Sequence, residues 1–332
     1  MLNYKDETIL VIGKGTTNYK VNTINEVPNE YEAKKYGEDS QLYNAFMDSL
    51  DFSVSNSIFM INMKYDTDYP KIINSITHSD FTYIVPLNIK FSDLIYIEDE
   101  NRKIFYAEYL LNSIKDSNLS TIFMTDNHAH YYEDIDHFVK SMESVIRTFK
   151  GTSVAINNYG RNLCFVANNL ANYDHANLIA VYMLASSQYK DYPLQDCGNA
   201  VFDIDTHDVH MRELSFFKYN IKRSATIDNF HNFNIRADQG KCVTIDRIIK
   251  YLQRYLDLSE FCGKFYNAYI KSVVLERLNT LLAAVKNVAI ADYKVLSCDF
   301  VKNTQTRTVV ILNEIEITPI NSIEKYKLFI EV

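Results

Sequence analysis

Along the first half of the chain, short continuous apolar runs alternate with stripes at helical spacing. The run Thr8-Ile-Leu-Val-Ile-Gly13 ends in glycine and reads as a buried strand. Residues 40–50 follow, with Leu42, Phe46 and Leu50 at helical spacing, and then a second apolar strand, Ser57-Ile-Phe-Met-Ile-Asn62. Strand, helix, strand is the order of an α/β layer with a parallel pair. Further strands are expected over 81–86 and 119–124. Helices are expected over 102–116, through Ile104, Ala107, Leu111 and Ile114, and over 134–149. The middle of the chain predicts strands around 152–157 and 162–167, an alanine-rich helix over 175–185, and short strands around 199–204, 212–219 and 232–236.

The C-terminal pattern is clearer. Thr244 can cap a helix running to about residue 261, with Ile245, Ile248, Ile249, Leu252, Tyr255 and Leu256 as its stripe. A second helix over 265–289 carries Val274, Leu278, Leu281, Leu282 and Val285 on one face. Two strands follow, one with Val309, Ile311, Ile315 and Ile317 facing one way, the other with Tyr326, Leu328, Ile330 and Val332 doing so. Pro319 separates them. The expected architecture is α/β over residues 1–235, joined to a C-terminal α+β domain over 236–332.

Composition narrows the function. A chain of 332 residues, 47% of them apolar, has room for two compact domains. No run approaches the ~20 apolar residues that span a bilayer. The start, Met1-Leu-Asn-Tyr-Lys-Asp-Glu-Thr, lacks the basic and apolar regions of a secretory signal, so the chain is expected to stay in a cytoplasm. Its 5 cysteines stand at least 20 residues apart without a CxxC pair, which predicts reduced thiols rather than a zinc ribbon or disulfide framework. A net charge of −8 argues against nucleic acid. The charge is uneven. Residues 236–332 carry 14 basic and 11 acidic side chains, a net of +3, and the rest carry 20 and 31, a net of −11. The 25 Tyr and 19 Phe suit extensive interfaces, and an AT-rich genome explains them equally well.

Candidate chemistry is sparse. Ile9-Leu-Val-Ile-Gly13-Lys-Gly15 resembles the opening of a dinucleotide site, yet position 18 is Asn and the next strand ends Ile61-Asn62-Met63, without the acidic residue that would hold a ribose. A tight turn after a buried strand fits better. His128, His130, Glu133, Asp134, Asp136 and His137 form the one dense group of metal-ligand types, and a solvated loop with Asp134 or Asp136 at a helix N-terminus accounts for them better than a metal site. Asp205, His207 and His210 make a weaker set. No GxSxG, HExxH or phosphate-binding loop occurs. Neither a cofactor nor a metal is expected, and the chain reads as a structural protein; a nucleotide- or metal-dependent enzyme is the alternative from another class.

The C-terminal hundred residues resemble the C-terminal domain of contractile phage tail sheath proteins, a family also found in bacteriocin-like particles and contractile injection systems. The resemblance rests on Phe233-Asn-Ile-Arg236, on Val243-Thr-Ile-Asp-Arg-Ile248 opening a long helix, and on Ala289-Ile-Ala-Asp-Tyr293 after the second helix. It rests also on the close, Asn313-Glu-Ile-Glu-Ile-Thr-Pro319 followed by a final apolar strand to Val332. Ile9-Leu-Val-Ile-Gly13, Tyr36-Gly37 and Ile58-Phe-Met-Ile61 are similar to the family's first α/β unit, more loosely. The resemblance implies a non-enzymatic subunit stacked as six-fold rings into a helical sleeve around a tail tube, which shortens to drive the tube through an envelope. It implies strand exchange between neighbours through Ile315, Ile317, Tyr326, Leu328, Ile330 and Val332. Lys250, Arg254, Lys264, Lys271 and Arg277, spread over the two C-terminal helices, are expected to face the tube. The implied partners are copies of the chain, the tube protein, and baseplate and tail terminator proteins, in a virion tail assembled in a host cytoplasm, with neither nucleic acid nor membrane. Only eight residues precede Ile9, where the family has a long arm, and the chain is short for the family. A sheath-like collar or terminator ring is therefore the second expectation.

Overall fold

The computed structural model describes residues 7–65, 72, 76, 81–97, 101–114, 120–152, 162–186, 214, 216–219, 225–228, 252, 255–256, 259–261, 267–287, 290–303 and 308–319. The chain divides into two compact units, a larger one drawn from Tyr4–Ser187 and Pro193–Val243 and a smaller one drawn mainly from Thr244–Val332.

The larger unit is built on a six-stranded sheet. Its strands are β1 (Thr8–Gly13), β2 (Ile24–Glu26), β3 (Ser57–Asn62), β4 (Tyr83–Pro86), β7 (Thr121–Met124) and β8 (Leu163–Phe165), in the order β2-β3-β1-β4-β7-β8. Every pairing is parallel except that of β2, which caps the β3 edge antiparallel. Consecutive residues of β1 point to opposite faces, yet Ile9, Leu10, Val11 and Ile12 are all fully buried, so the sheet is covered on both sides. That double burial is why these strands appear in sequence as unbroken apolar runs.

Helices α1 (Glu30–Lys34) and α2 (Gln41–Asp51) link β1 to β3. Ser40 caps α2 by accepting a bond from the Tyr43 amide, 3.0 Å. Leu42, Ala45, Phe46 and Ser49 are the buried face. Leu50 is half exposed despite its spacing from Phe46, because eight residues on from Leu42 overshoots two turns of a 3.6-residue helix.

Residues 102–116 do not form one helix, and this expectation is corrected. Arg102–Phe105 is strand β6, paired antiparallel with β5 (Leu94–Ile97), and only Tyr106–Ser113 is helical, as α3. The hairpin is held down by aromatic packing. Phe105 meets Phe91 at 6.4 Å and Phe149 at 5.6 Å, and Phe91 stacks on Phe165 at 4.2 Å. Helix α4 (Ile135–Lys150) is capped by Asp134, which accepts from the His137 amide at 2.9 Å, and buries Phe138, Met142, Ile146 and Phe149 beside α3 and the Leu10–Ile12 face of the sheet. Helix α5 (Ala176–Ser186) is buried from Ala176 through Ala185. It packs on β4, β7 and α2, where the Tyr182 hydroxyl donates to the Ala45 carbonyl at 2.7 Å. Strands β9 (Phe216–Tyr219) and β10 (Ala225–Asp228) form a separate antiparallel pair, and the sequence pattern signals only the first of them.

The smaller unit contains α6 (Ala268–Val285), capped by Asn267 accepting from the Ile270 amide at 2.9 Å. Its buried stripe is Ile270, Val274, Leu278, Leu282 and Val285. Strands β11 (Ile290–Asn303) and β12 (Thr308–Pro319) make a long antiparallel hairpin with two register shifts. Cys298 of β11 is buried against Ile270 and Val274. The larger unit is thus α/β and the smaller α+β. The strands expected around 199–204 and 232–236 and over 325–332, and most of the strand expected around 152–157 and of the helix expected from Thr244, lie outside the described residues.

Candidate functional site

In a parallel sheet whose order reverses beside its first strand, ligands enter the crevice at the carboxyl ends of the strands flanking the reversal. Here β1 has β3 on one side and β4 on the other, so the crevice lies beyond Gly13 and Pro86. It is filled by the chain itself. The Leu87 amide donates to the Ile12 carbonyl at 2.8 Å, and a side chain at Gly13 would meet Leu42 at 3.0 Å and Leu87 at 3.1 Å. Asn177 of α5 donates to the carbonyls of Pro86 and Phe123, both at 3.0 Å.

The amides of the following loop are likewise occupied. Lys14 donates to Gln41 Oε1 at 3.1 Å, Gly15 to Asn62 Oδ1 at 2.8 Å, and Thr16 and Thr17 to the Tyr36 carbonyl at 2.8 and 3.3 Å. A phosphate cradle requires such amides to point at the ligand. Asn62, fully buried, also donates to the carbonyls of Thr17 and Tyr19, both at 3.0 Å. The residue that departs from the dinucleotide motif is therefore the one that ties this loop down. The tight-turn reading of Gly13-Lys-Gly15 agrees with this geometry.

The histidines lie on the turn between β7 and α4. His128 and His130 meet at Nδ1, 2.7 Å apart, while His137 bonds Asp134 at 2.8 Å at the helix start. Asp134 serves as the N-cap, and its carboxyl is held below the usual range by the amide and ring of His137. Among the described residues no three His, Cys, Asp or Glu side chains group closely enough to hold a metal ion.

Near the start of α5, burial and the neighbouring charges of Asp51 and Asp174 push the Asp48 carboxyl up to about 7. From the ordinary carboxylate range up to pH 7, the folded chain holds a proton that the unfolded chain has released, so stability falls as pH rises through this window. The slope is at most about 1.4 kcal/mol per pH unit, and less here because the carboxyl is partly exposed. His175, pushed below its usual range by burial against the opposing pull of Asp174, contributes with the other sign and loses stability as the solution turns acid. Asp48→Asn is expected to raise the melting temperature at pH 8 by about 2–4 °C and to change it little at pH 4.5. Calorimetry at the two pH values decides; an equal change at both removes the titration argument.

In the smaller unit, Ile315 and Ile317 pair in register with Val295 and Tyr293 of their own chain. Lys271 lies 3.6 Å from Asp299, and Arg277 pairs with Glu260 and lies over the Phe261 ring. Lys250, Arg254, Lys264, Tyr326, Leu328, Ile330 and Val332 lie outside the described residues. The sequence reading missed strand β11, and with it Asp299, the partner of Lys271.

No family model matches the sequence, nor does any curated protein. Solved structures do match, over nearly the whole chain. The helical sheath of the anti-feeding prophage in its contracted state aligns with a TM-score of 0.62 at 9% identity, over 98% of this chain and 92% of that one. The contracted sheath of the PVC extracellular contractile injection system gives 0.61 at 10%, over 98% and 91%. The chain has the fold of contractile tail sheath proteins. The sheath tail protein of Listeria innocua extends the likeness to a crystal structure, with a TM-score of 0.58 at 10% identity over 98% of this chain and 97% of that one. The sheath fold thus spans both units, well beyond the C-terminal residues on which the resemblance chiefly rests. No helix among the described residues is long and apolar enough to cross a membrane.

Proposed function

We propose that the chain is a non-enzymatic structural subunit that polymerises with its own copies as stacked hexameric rings around a tail tube, and that the sleeve contracts to drive the tube through a cell envelope. The observation that carries this reading is the end-to-end correspondence with sheaths in the contracted state, over 98% of the chain. The self-filled crevice supports it, since the place where this sheet type holds ligands is packed with Leu42, Leu87 and Asn62. In this reading residues 1–235 form the outer region and 236–332 the inner assembly domain, completed by strand exchange. Its partners are the tube, baseplate and terminator proteins of a virion tail. Negative-stain microscopy of concentrated protein tests it: tubes are expected, and monodisperse particles at every concentration would count against self-assembly.

A second reading has its own support. A chain in the 6-fold symmetrised baseplate of the anti-feeding prophage matches with a TM-score of 0.60 at 9% identity, over 99% of this chain and 94% of that one. A sheath-like ring at one level of the tail, such as a collar or terminator, fits that neighbour. Rings that never elongate would select it.

The inner wall is assigned by charge. Lys271 and Arg277 each have a carboxylate of their own unit beside them, which reduces the field they present outward. Lys250, Arg254 and Lys264 are proposed to share the tube contact with Lys271 and Arg277. Reversing Lys250 and Arg254 to Glu is expected to weaken co-sedimentation with the tube at least about tenfold and more so at low salt, with the subunit still folded by circular dichroism. Unchanged co-assembly would move the inner wall elsewhere.

A further inference from the structure

The turn between β7 and α4 brings two imidazoles together in a way that solvation alone does not explain. His128 Nε2 lies 2.7 Å from the Leu170 carbonyl, which only accepts, so Nε2 carries the hydrogen and the Nδ1 of the neutral ring bears a lone pair. That Nδ1 faces His130 Nδ1 at 2.7 Å, and the His130 amide also donates to it at 3.4 Å. The ring centroids are only 4.3 Å apart, with the planes inclined at 41°, so the rings meet side on rather than tip to tip. The backbone beneath them is fixed, because the Ala129 amide donates to the Asn168 carbonyl at 2.7 Å. His130 also meets the Tyr131 ring, with centroids 4.0 Å apart.

We propose that His128 and His130 form a two-imidazole site for a divalent transition ion of square-planar or tetragonal preference, Cu²⁺ or Ni²⁺, with both Nδ1 atoms as ligands and water completing the shell. The ion takes the place of the hydrogen between the two Nδ1 atoms, and His130 carries its one hydrogen on Nε2 instead, so the neutral pair binds with no net loss of a proton. A backbone carbonyl on the remote nitrogen is the arrangement that fixes tautomer and orientation in metal-bound histidines, and His128 has it from Leu170. The geometry selects among metals. Two nitrogens about 2.0–2.1 Å from an ion stand about 2.9 Å apart at a right angle and about 3.3 Å apart at a tetrahedral one. The observed 2.7 Å needs only a slight opening for the first and a larger one for the second. Nickel and copper therefore fit better than tetrahedral zinc.

Untagged full-length protein, stripped with chelator, is titrated with Cu²⁺ near neutral pH and followed by visible absorption and electron paramagnetic resonance. One equivalent is expected to bind in the micromolar range, with the hyperfine pattern of two equatorial imidazole nitrogens. His130→Ala, at an exposed position, is expected to leave the melting temperature unchanged, to weaken binding at least about tenfold and to remove one nitrogen from the pattern. His128→Ala should do the same to the spectrum. If it disturbs the fold through the lost Leu170 bond, the His130 variant decides alone. Affinity unchanged in His130→Ala, binding transferred to a variant lacking both rings, or binding only at millimolar ion would each overturn the site.

Discussion

Replacing Asn62 by Ala is expected to lower the melting temperature by about 10 °C. The side chain is fully buried and satisfies one amide and two carbonyls of the loop after β1, at Gly15, Thr17 and Tyr19. Its loss leaves those groups without their partner and opens a small void. One buried group left unsatisfied costs about 1–3 kcal/mol, and water entering the void offsets part of the sum. A net loss of about 3–4 kcal/mol corresponds to roughly 2–4 °C per kcal/mol in a unit of this size. Asn62→Asp is the sharper variant. The carboxylate still accepts from Gly15 but sets an oxygen against the Thr17 and Tyr19 carbonyls where the native amide donates, so it should be at least as harmful as Ala. A shift below about 2 °C in both variants would show that the loop is held by other contacts.

Removing residues 322–332 is expected to abolish tubes and rings altogether while leaving a folded, soluble monomer. The segment carries Tyr326, Leu328, Ile330 and Val332 in alternation with Lys325, Lys327, Phe329 and Glu331. A strand of that pattern needs a sheet edge, since its backbone groups and apolar side are unfavourable in water. Under the proposed strand exchange the edge belongs to a neighbouring copy, so the monomer loses little by the deletion. Thermal unfolding of the truncated chain, beside microscopy, separates the two cases. A truncated chain that unfolds or aggregates as a monomer places the strand in its own core and ends the exchange mechanism.

Much of the larger unit was legible because its physics is uniform along each element. Strands β1, β3, β4 and β7 are buried on both faces, so each appears as a continuous apolar run. The helices expected over 40–50 and 134–149 are present as α2 and α4, with Ser40 and Asp134 as their caps. The hairpin β5–β6 was misread because Ile104, Ala107, Leu111 and Ile114 fit a helical period, although Ile104 is buried from a strand. Burial there comes from the distant rings of Phe91 and Phe149, which no local pattern announces. Strand β11 escaped for another reason. Its apolar positions switch from odd, Tyr293 and Val295, to even, Cys298, across the register shift between Val295 and Ser297. A bulge inserts one residue and inverts the alternation on which strand recognition depends.

At the candidate site the sequence told what was missing, the third glycine and the acidic residue, and so pointed away from a cofactor. It did not tell that Asn62 takes the loop's bonds for itself, because its three partners are 43 to 47 residues away in the chain. The meeting of His128 and His130 was visible as a spacing, but the Leu170 carbonyl that orients the pair stands 42 residues downstream.

Helix α5 has a mechanical consequence. It is packed on all sides, bonded to two strands of the sheet through Asn177 and to α2 through Tyr182. Interiors packed in this manner yield little under load and pass strain on rather than absorb it. Its sheet neighbours and α2 therefore shift with α5 as one piece, and the hydrogen bonds that join them offer no plane of easy sliding. Within that packed layer a push would be relayed as through a solid strut. Under the proposed sleeve function, shortening would take place at the joints between such blocks rather than within them.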